Sequence, residues 1–168
     1  DLAAAANLCL GREIVRSGIG RWFGWLDNAA MARGAAHELA DLGVTLRAVD
    51  APVVAMSGGQ RQGIAVARAA AWGSGLIMLD EPTAALGVAQ QESVDRLIRR
   101  IQSKGIPVLL ISHNLPQVLS ISDRVVVLRR GRVVADVLTS STSAEELIGW
   151  ITGTASEAPA SRETRSAR

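Results

Sequence analysis

Two short strings in this chain have the residue types and spacing to act on a phosphate ester. Met56-Ser57-Gly58-Gly59-Gln60 places a hydroxyl and two glycines at the start of an expected helix. The first amides of a helix lack internal partners and lie at the positive end of its dipole. Glycines let a phosphate come close to that backbone. Further on, the apolar run Leu76-Ile77-Met78-Leu79 ends in Asp80-Glu81-Pro82. Adjacent carboxylates at a strand end repel unless a cation or a proton lies between them. Mg²⁺ held through Asp80, commonly by way of water, relieves that repulsion. Glu81 then faces the γ-phosphate as general base or water-positioning group. His113 ends the next expected strand. Parallel strands bring their carboxyl ends to one edge, where α/β sheets hold ligands. Each string also has an ordinary reading: a capped helix after a Gly-rich turn, surface charges at a strand end, a solvated histidine. Their order and spacing favour nucleotide hydrolysis.

The elements that position these residues follow from periodicity and caps. Residues 3–10 read as a helix closed by Gly11, followed by a Gly- and Trp-rich loop over 17–26. Asp27 caps a helix over 28–42 whose apolar face carries Ala30, Ala35, Leu39 and Leu42, and Gly43 ends it. Residues 44–55, with Pro52, read as an extended linker. Ser57 caps a helix to about Trp72, with Gln60 completing a capping box. From residue 76 strands and helices alternate. The run 76–79 reads as a strand covered on both faces, and 107–112 as a second buried strand. Between them, helix 88–102 carries Val94, Leu97, Ile98 and Ile101 on one face and ends at Lys104-Gly105. A short helix over 115–121, a hairpin of 124–128 with 132–137, and a last helix over 144–150 complete the pattern. Strand, helix, strand implies a parallel pair, hence an α/β fold.

Composition removes other classes. The chain has 168 residues, 48% hydrophobic and 20% charged, with a net charge of +2. This suits one globular domain or part of one. One Phe, no Tyr and four scattered Trp give no interleaving of aromatic and basic residues, so nucleic acid is not an expected partner. Cys9 has no second cysteine to pair with and reads as a small apolar residue. No apolar run reaches the ~18 residues that span a bilayer, and no signal peptide is read. His37 reads as exposed in mid-helix. The first residue is Asp1 rather than Met, which reads as a fragment.

Together these residues resemble the ATP-binding cassette (ABC) family. Residues 56–60 look like its signature, usually Leu-Ser-Gly-Gly-Gln, and Arg61-Gln62 and Arg68-Ala69 match the helix that follows. Residues 76–81 resemble the Walker B strand with its catalytic glutamate. His113 resembles the switch histidine, and Asp123-Arg124 through Gly131-Arg132 the closing hairpin. Asn7-Leu8-Cys9-Leu10-Gly11-Arg12-Glu13 and Pro82-Thr83-Ala84-Ala85-Leu86-Gly87-Val88 are similar to bacterial monosaccharide importers of the ribose, xylose and fructose kind. Gly87 stands where the family usually has the D-loop aspartate. The resemblance runs from residue 1 to about 153. It implies the P-loop NTPase (RecA-like) ABC ATPase fold, truncated at its N-terminus. Its parts are a helical signature subdomain over 1–75 and the C-terminal part of the core over 76–152; residues 153–168, rich in Ser, Thr, Ala and Arg, read by composition as a disordered tail.

No G-x-x-x-x-G-K-[ST] occurs, the only lysine is Lys104, and the Q-loop glutamine is expected just before Asp1. Walker A supplies the phosphate cradle, so the chain reads as the C-terminal two-thirds of the domain, with about 80–90 residues absent. The resemblance implies ATP and Mg²⁺ as ligands and a head-to-tail dimer with a second ATPase subunit. Ser57, Gly58, Gly59 and Gln60 bind the partner's ATP in trans, while Asp80, Glu81 and His113 act on the subunit's own. It also implies membrane permease subunits, an indirect periplasmic sugar-binding protein, and a peripheral location on the cytoplasmic face of the inner membrane. Two alternatives stand beside it. One is an inactive truncated remnant or interaction module. The other is a soluble ATPase of chromosome maintenance or DNA repair, disfavoured by the absence of sustained heptads.

Overall fold

The computed structural model describes residues 2–46, 48–72 and 75–156. The expected disordered tail falls outside the described residues from 157 onward. The chain forms two compact units, Asp1–Ile111 and Ser112–Arg168.

In the first unit, helix α1 (Ala4–Leu8) is followed by one helical turn, α2 (Ile19–Trp22), and by α3 (Asn28–Asp41). The expected cap is present: the Asp27 carboxylate accepts the Ala30 amide at 2.9 Å, and Gly43 ends the helix in the left-handed region (φ 71°). Helix α4 (Gly58–Trp72) packs on α1 and α3. Small buried residues, Ala4, Ala5, Ala35 and Ala67, alternate there with Leu8, Leu39 and Ile64.

The expected extended linker is not extended throughout. Ala4 donates to Ala51 (3.1 Å) and Ala5 to Val49 (2.9 Å), and Val53–Ala55 close into a 3-10 turn. The first amides of α1 have no partners within that helix, and the carbonyls of this segment satisfy two of them. The loop over 17–26 also differs from expectation. It contains α2 and is closed by an antiparallel bridge between Val15 and Leu26.

Strands β1 (Ile77–Asp80) and β2 (Val108–Ile111) pair in parallel, Ile77 opposite Val108 and Asp80 opposite Ile111, with α5 (Val88–Ser103) as the crossover. The expected face of α5 is the buried one: Val94, Leu97, Ile98 and Ile101. The expectation that β1 is covered on both faces and that β2 is buried is corrected. Ile77 and Leu79 are buried, but Met78 is 65% exposed, and Leu109 and Ile111 are also exposed. Helices α4 and α5 pack against this pair. They cover one face of a period-two strand, and the described residues leave the other open.

The second unit contains α6 (Leu115–Ile121), β3 (Arg124–Arg129), β4 (Arg132–Leu138) and α7 (Ala144–Thr152). Strands β3 and β4 form the expected hairpin. Its two-residue turn, Arg130-Gly131, has both φ angles positive (49° and 76°), as tight hairpin turns require. Val127, Val134, Ala135, Leu147 and Trp150 form this unit's core. Ser143 and Glu146 make a capping box at the start of α7, and Gly153 ends that helix.

Candidate functional site

The start of α4 is built by a reciprocal pair of bonds. Ser57 Oγ accepts the Gln60 amide (3.3 Å), and Gln60 Oε1 accepts the Ser57 amide (3.0 Å). Arg61 donates from its side chain to the Met56 carbonyl at 2.6 Å. The cap fixes the turn but leaves two donors over. Among the described residues, the amides of Gly58 and Gly59 take no hydrogen-bond partner. They lie at the positive end of a 15-residue helix. This is the geometry that accepts phosphate oxygens.

Both glycines face the segment that opens α5. A Cβ on Gly59 would lie 2.7 Å from Cγ of Gln90, and one on Gly58 would lie 3.5 Å from Cδ2 of Leu86. Gly59 is therefore needed for close approach, not for an unusual φ. A cavity of about 420 Å³ opens beside this contact, lined by Ser57, Gly59, Gln60, Gly63, Gln90 and Arg100 among others.

Asp80 is the last residue of β1 and is exposed; Glu81 follows it and is half-buried. The Glu81 amide donates to the Ile111 carbonyl at 2.9 Å, which extends the parallel ladder by one bond beyond β1. Glu81 then takes a left-handed conformation (φ 46°), as does Ala85 (φ 60°). For residues with a Cβ this region is costly, and it collects at functional sites. The chain turns away tightly: Ala84 donates to Glu81 (3.1 Å) and Leu86 to Thr83 (3.2 Å). Pro82 and Thr83 are buried beneath the turn.

No group of three or more His, Cys, Asp or Glu among the described residues could hold a metal ion. The strand end thus offers the carboxylates of Asp80 and Glu81 alone. That fits Mg²⁺, which is commonly held by one or two carboxylates together with waters and substrate phosphates. A site closed by protein ligands alone would need more.

His113 belongs to the second unit. The chain leaves β2 at Ile111 and reaches His113, which is exposed, two residues later. Its neighbours are held by Ser112 Oγ, which accepts the Asn114 amide (3.1 Å) and donates to Gln117 Oε1 (3.2 Å). Asn114 caps α6 through the Gln117 amide. Thus Ser57, Gly58, Gly59, Gln60, Asp80 and Glu81 share the first unit, and His113 lies in the second.

Cys9 is half-buried, and burial together with the Glu13 carboxylate pushes its thiol up, which disfavours a reactive thiolate. His37 is exposed and lies 3.9 Å from Asp41 on α3. Sequence reading missed Gln90 and Gln91. Their only signals were the bare backbone at Gly59 and Gly87, which shows its meaning only once the segments are seen in contact.

Comparison with known proteins bears on this arrangement. A family model described as "ABC transporter" matches residues 7–84. The chain is 44% identical over 154 residues to the fructose import ATP-binding protein FrcA of Rhizobium meliloti, covering 90% of this chain and 59% of that protein. It is 38% identical over 153 residues to the ribose import ATP-binding protein RbsA 1 of Burkholderia cenocepacia, covering 91% of this chain and 29% of that protein. Among solved structures it resembles a metal-chelate type ABC transporter in an inward-facing conformation (TM-score 0.71, 26% identity, 90% of this chain and 58% of that one). It also resembles a dimeric ATP-binding cassette in a post-hydrolysis state with ADP and Pi (TM-score 0.62, 24% identity, 82% of this chain and 57% of that one). The chain spans 59% of the length of the fructose relative.

Proposed function

From the premise that this chain belongs to the ABC transporter ATPase family and is related to carbohydrate import ATP-binding proteins, we propose that it forms part of the ATP-hydrolysing subunit of a sugar importer. The observation that carries this reading is the pair of open amides at Gly58 and Gly59 in the same compact unit as Asp80 and Glu81. The first is a phosphate seat and the second a water-activating strand end.

In this reading two copies associate head to tail around two ATP. The amides of Gly58 and Gly59, with the Ser57 hydroxyl, hold the γ-phosphate of the partner's ATP, and Gln60 keeps the turn in shape through its bond to the Ser57 amide. Asp80 holds Mg²⁺, commonly through water. Held by Asp80, Mg²⁺ would supply neutralisation of the negative charge on the phosphates. Glu81 orients the attacking water and takes its proton. His113 donates a hydrogen bond to the γ-phosphate. Closure of the dimer drives permease subunits in the membrane, and a periplasmic receptor delivers the sugar. The subunit sits peripherally on the cytoplasmic face of the inner membrane. No described helix is long and apolar enough to cross a membrane.

A second reading is favoured by one observation: no G-x-x-x-x-G-K-[ST] occurs in the 168 residues. Residues 1–168 by themselves then bind and hydrolyse ATP weakly or not at all, because the main phosphate cradle is lacking. The test compares ATP turnover by the whole protein, reconstituted with its membrane subunits, with turnover by residues 1–168. Activity coupled to sugar uptake in the first, and none in the second, supports both readings. No turnover in the reconstituted whole protein overturns the first.

A further inference from the structure

Gln90, in the first turn of α5, is exposed, so the core does not require it. Its side chain nevertheless lies across two glycines from different segments. A Cβ on Gly59 would come within 2.7 Å of its Cγ and 3.0 Å of its Cβ, and a Cβ on Gly87 within 2.7 Å of its Oε1. No ordinary contact between side chains is that close, so the stem of Gln90 fits against Gly59 only because that position is bare, while at Gly87 the facing atom is the free end of the side chain. Cβ is fixed to the α5 backbone and cannot swing aside. The stem of Gln90 is thereby keyed against the turn that starts α4, and its carboxamide oxygen against the chain entering α5.

The chain between Gly87 and Glu81 is short and stiff. The Gln90 and Gln91 amides both donate to the Gly87 carbonyl (3.0 Å each), and Gln91 Nε2 donates to the Leu86 carbonyl (3.1 Å). The turn bonds from Leu86 to Thr83 and from Ala84 to Glu81 continue the path, over buried Pro82 and Thr83. Leu86 touches the position of Gly58 as well. A shift of the backbone at Gly59 therefore presses directly on the stem of Gln90 at the start of α5.

We propose that Gln90 is a positioning residue that keys the Ser57–Gln60 turn to the segment leaving Glu81, so that a phosphate engaged at the one resets the other. The consequence for turnover rests on the function proposed above. A copy whose α4 turn grips the partner's nucleotide would then adjust Glu81 at its own. The two sites of a dimer become linked, and rate rises cooperatively with ATP.

The test uses the whole protein with Gln90→Ala, with Gln90→Glu as the conservative variant that keeps the stem and an oxygen over Gly87. Amide hydrogen exchange is followed over 57–61 and 82–87, and ATP turnover over a range of ATP concentrations. The Ala variant should exchange about 10-fold faster in both segments, and the Glu variant should restore both. The Ala variant should also lose cooperativity in ATP, its rate becoming hyperbolic, which loss of packing alone would not produce. Should Gln90→Ala fail to fold, Gly59→Ala reports the same link from the other side through exchange at 82–87. Exchange unchanged in either segment, or cooperativity unchanged in an active Gln90→Ala protein, overturns the proposal. If the unmodified protein shows no turnover, the functional reading falls, and the exchange result still decides whether the key exists.

Discussion

Glu81 donates its backbone amide to the carbonyl of Ile111 at 2.9 Å, so the residue after β1 is pinned to the end of β2. The bond is made by the main chain, and it survives any change of the side chain that leaves the turn intact. Glu81→Gln therefore separates chemistry from position. It keeps shape and hydrogen-bonding reach but removes the proposed base. If the proposed function holds, ATP turnover by the whole protein should fall by about 10²–10⁴-fold, the usual contribution of a positioned general base, while equilibrium ATP binding is retained. Steady-state rates beside a nucleotide-binding titration measure both. Unchanged turnover would take Glu81 out of its proposed role.

Ser57 does two separable things, and two substitutions divide them. Its hydroxyl accepts the Gln60 amide, so Ser57→Ala removes a helix cap. That should cost about 1 kcal/mol, read as a lowered denaturation midpoint in residues 1–168. Ser57→Arg instead places bulk at the open amides of Gly58 and Gly59. In the whole protein it should block ATP-dependent dimerisation, measured by light scattering with and without ATP. Normal dimerisation of that variant would remove this turn from the proposed intersubunit site.

Much of this architecture was legible because local signals and tertiary context agree. Asp27 and Ser57 are capping residues in sequence and capping residues in the structure. The 3.6-residue pattern of Val94, Leu97, Ile98 and Ile101 marks the buried face of α5. The bend at Ala51-Pro52 was not legible, since it depends on which carbonyls α1 recruits. Nor was the exposure of Met78 and Leu109. An unbroken apolar run reports that a strand suits a covered sheet, but not which faces its neighbours cover. The contact of Gln90 with Gly59 was invisible for the same reason. It joins segments about thirty residues apart, and neither carries a periodic pattern pointing to the other.

In the second unit, Arg124 grips Asp136 across the hairpin, Nε to Oδ1 at 2.5 Å and Nη2 to Oδ2 at 2.6 Å. This two-point bond holds the Asp136 carboxyl below its ordinary value, with the charge of Arg124 adding to the effect. A carboxylate with a depressed folded pKa contributes stability above its unfolded value, near ~3.9, and loses it as pH falls through the folded value. Asp136→Asn should lower the thermal midpoint at pH 7. The gap to the unmodified chain should narrow only below about pH 4. Melts of both proteins from pH 7 to pH 2 test this, and a gap of equal size at both ends would assign the effect to packing.

The open face of the β1–β2 pair gives a prediction from neighbours in sequence. Leu79 is 7% exposed and Met78 65% exposed, although both are large and apolar. Leu79→Ala removes a side chain from the covered face and leaves a cavity, at a cost of about 2–5 kcal/mol. Met78→Thr exchanges an already solvated side chain for a β-branched one that suits a strand, so residues 1–168 should change by no more than about 0.5 kcal/mol. Chemical denaturation of the two variants beside the unmodified chain measures the contrast. Equal losses would mean that β1 is covered on both faces in solution, either by association of copies through Met78, Leu109 and Ile111 or by rearrangement of the unit. Sedimentation at several concentrations would separate those two cases, because only association makes the loss at Met78 depend on protein concentration.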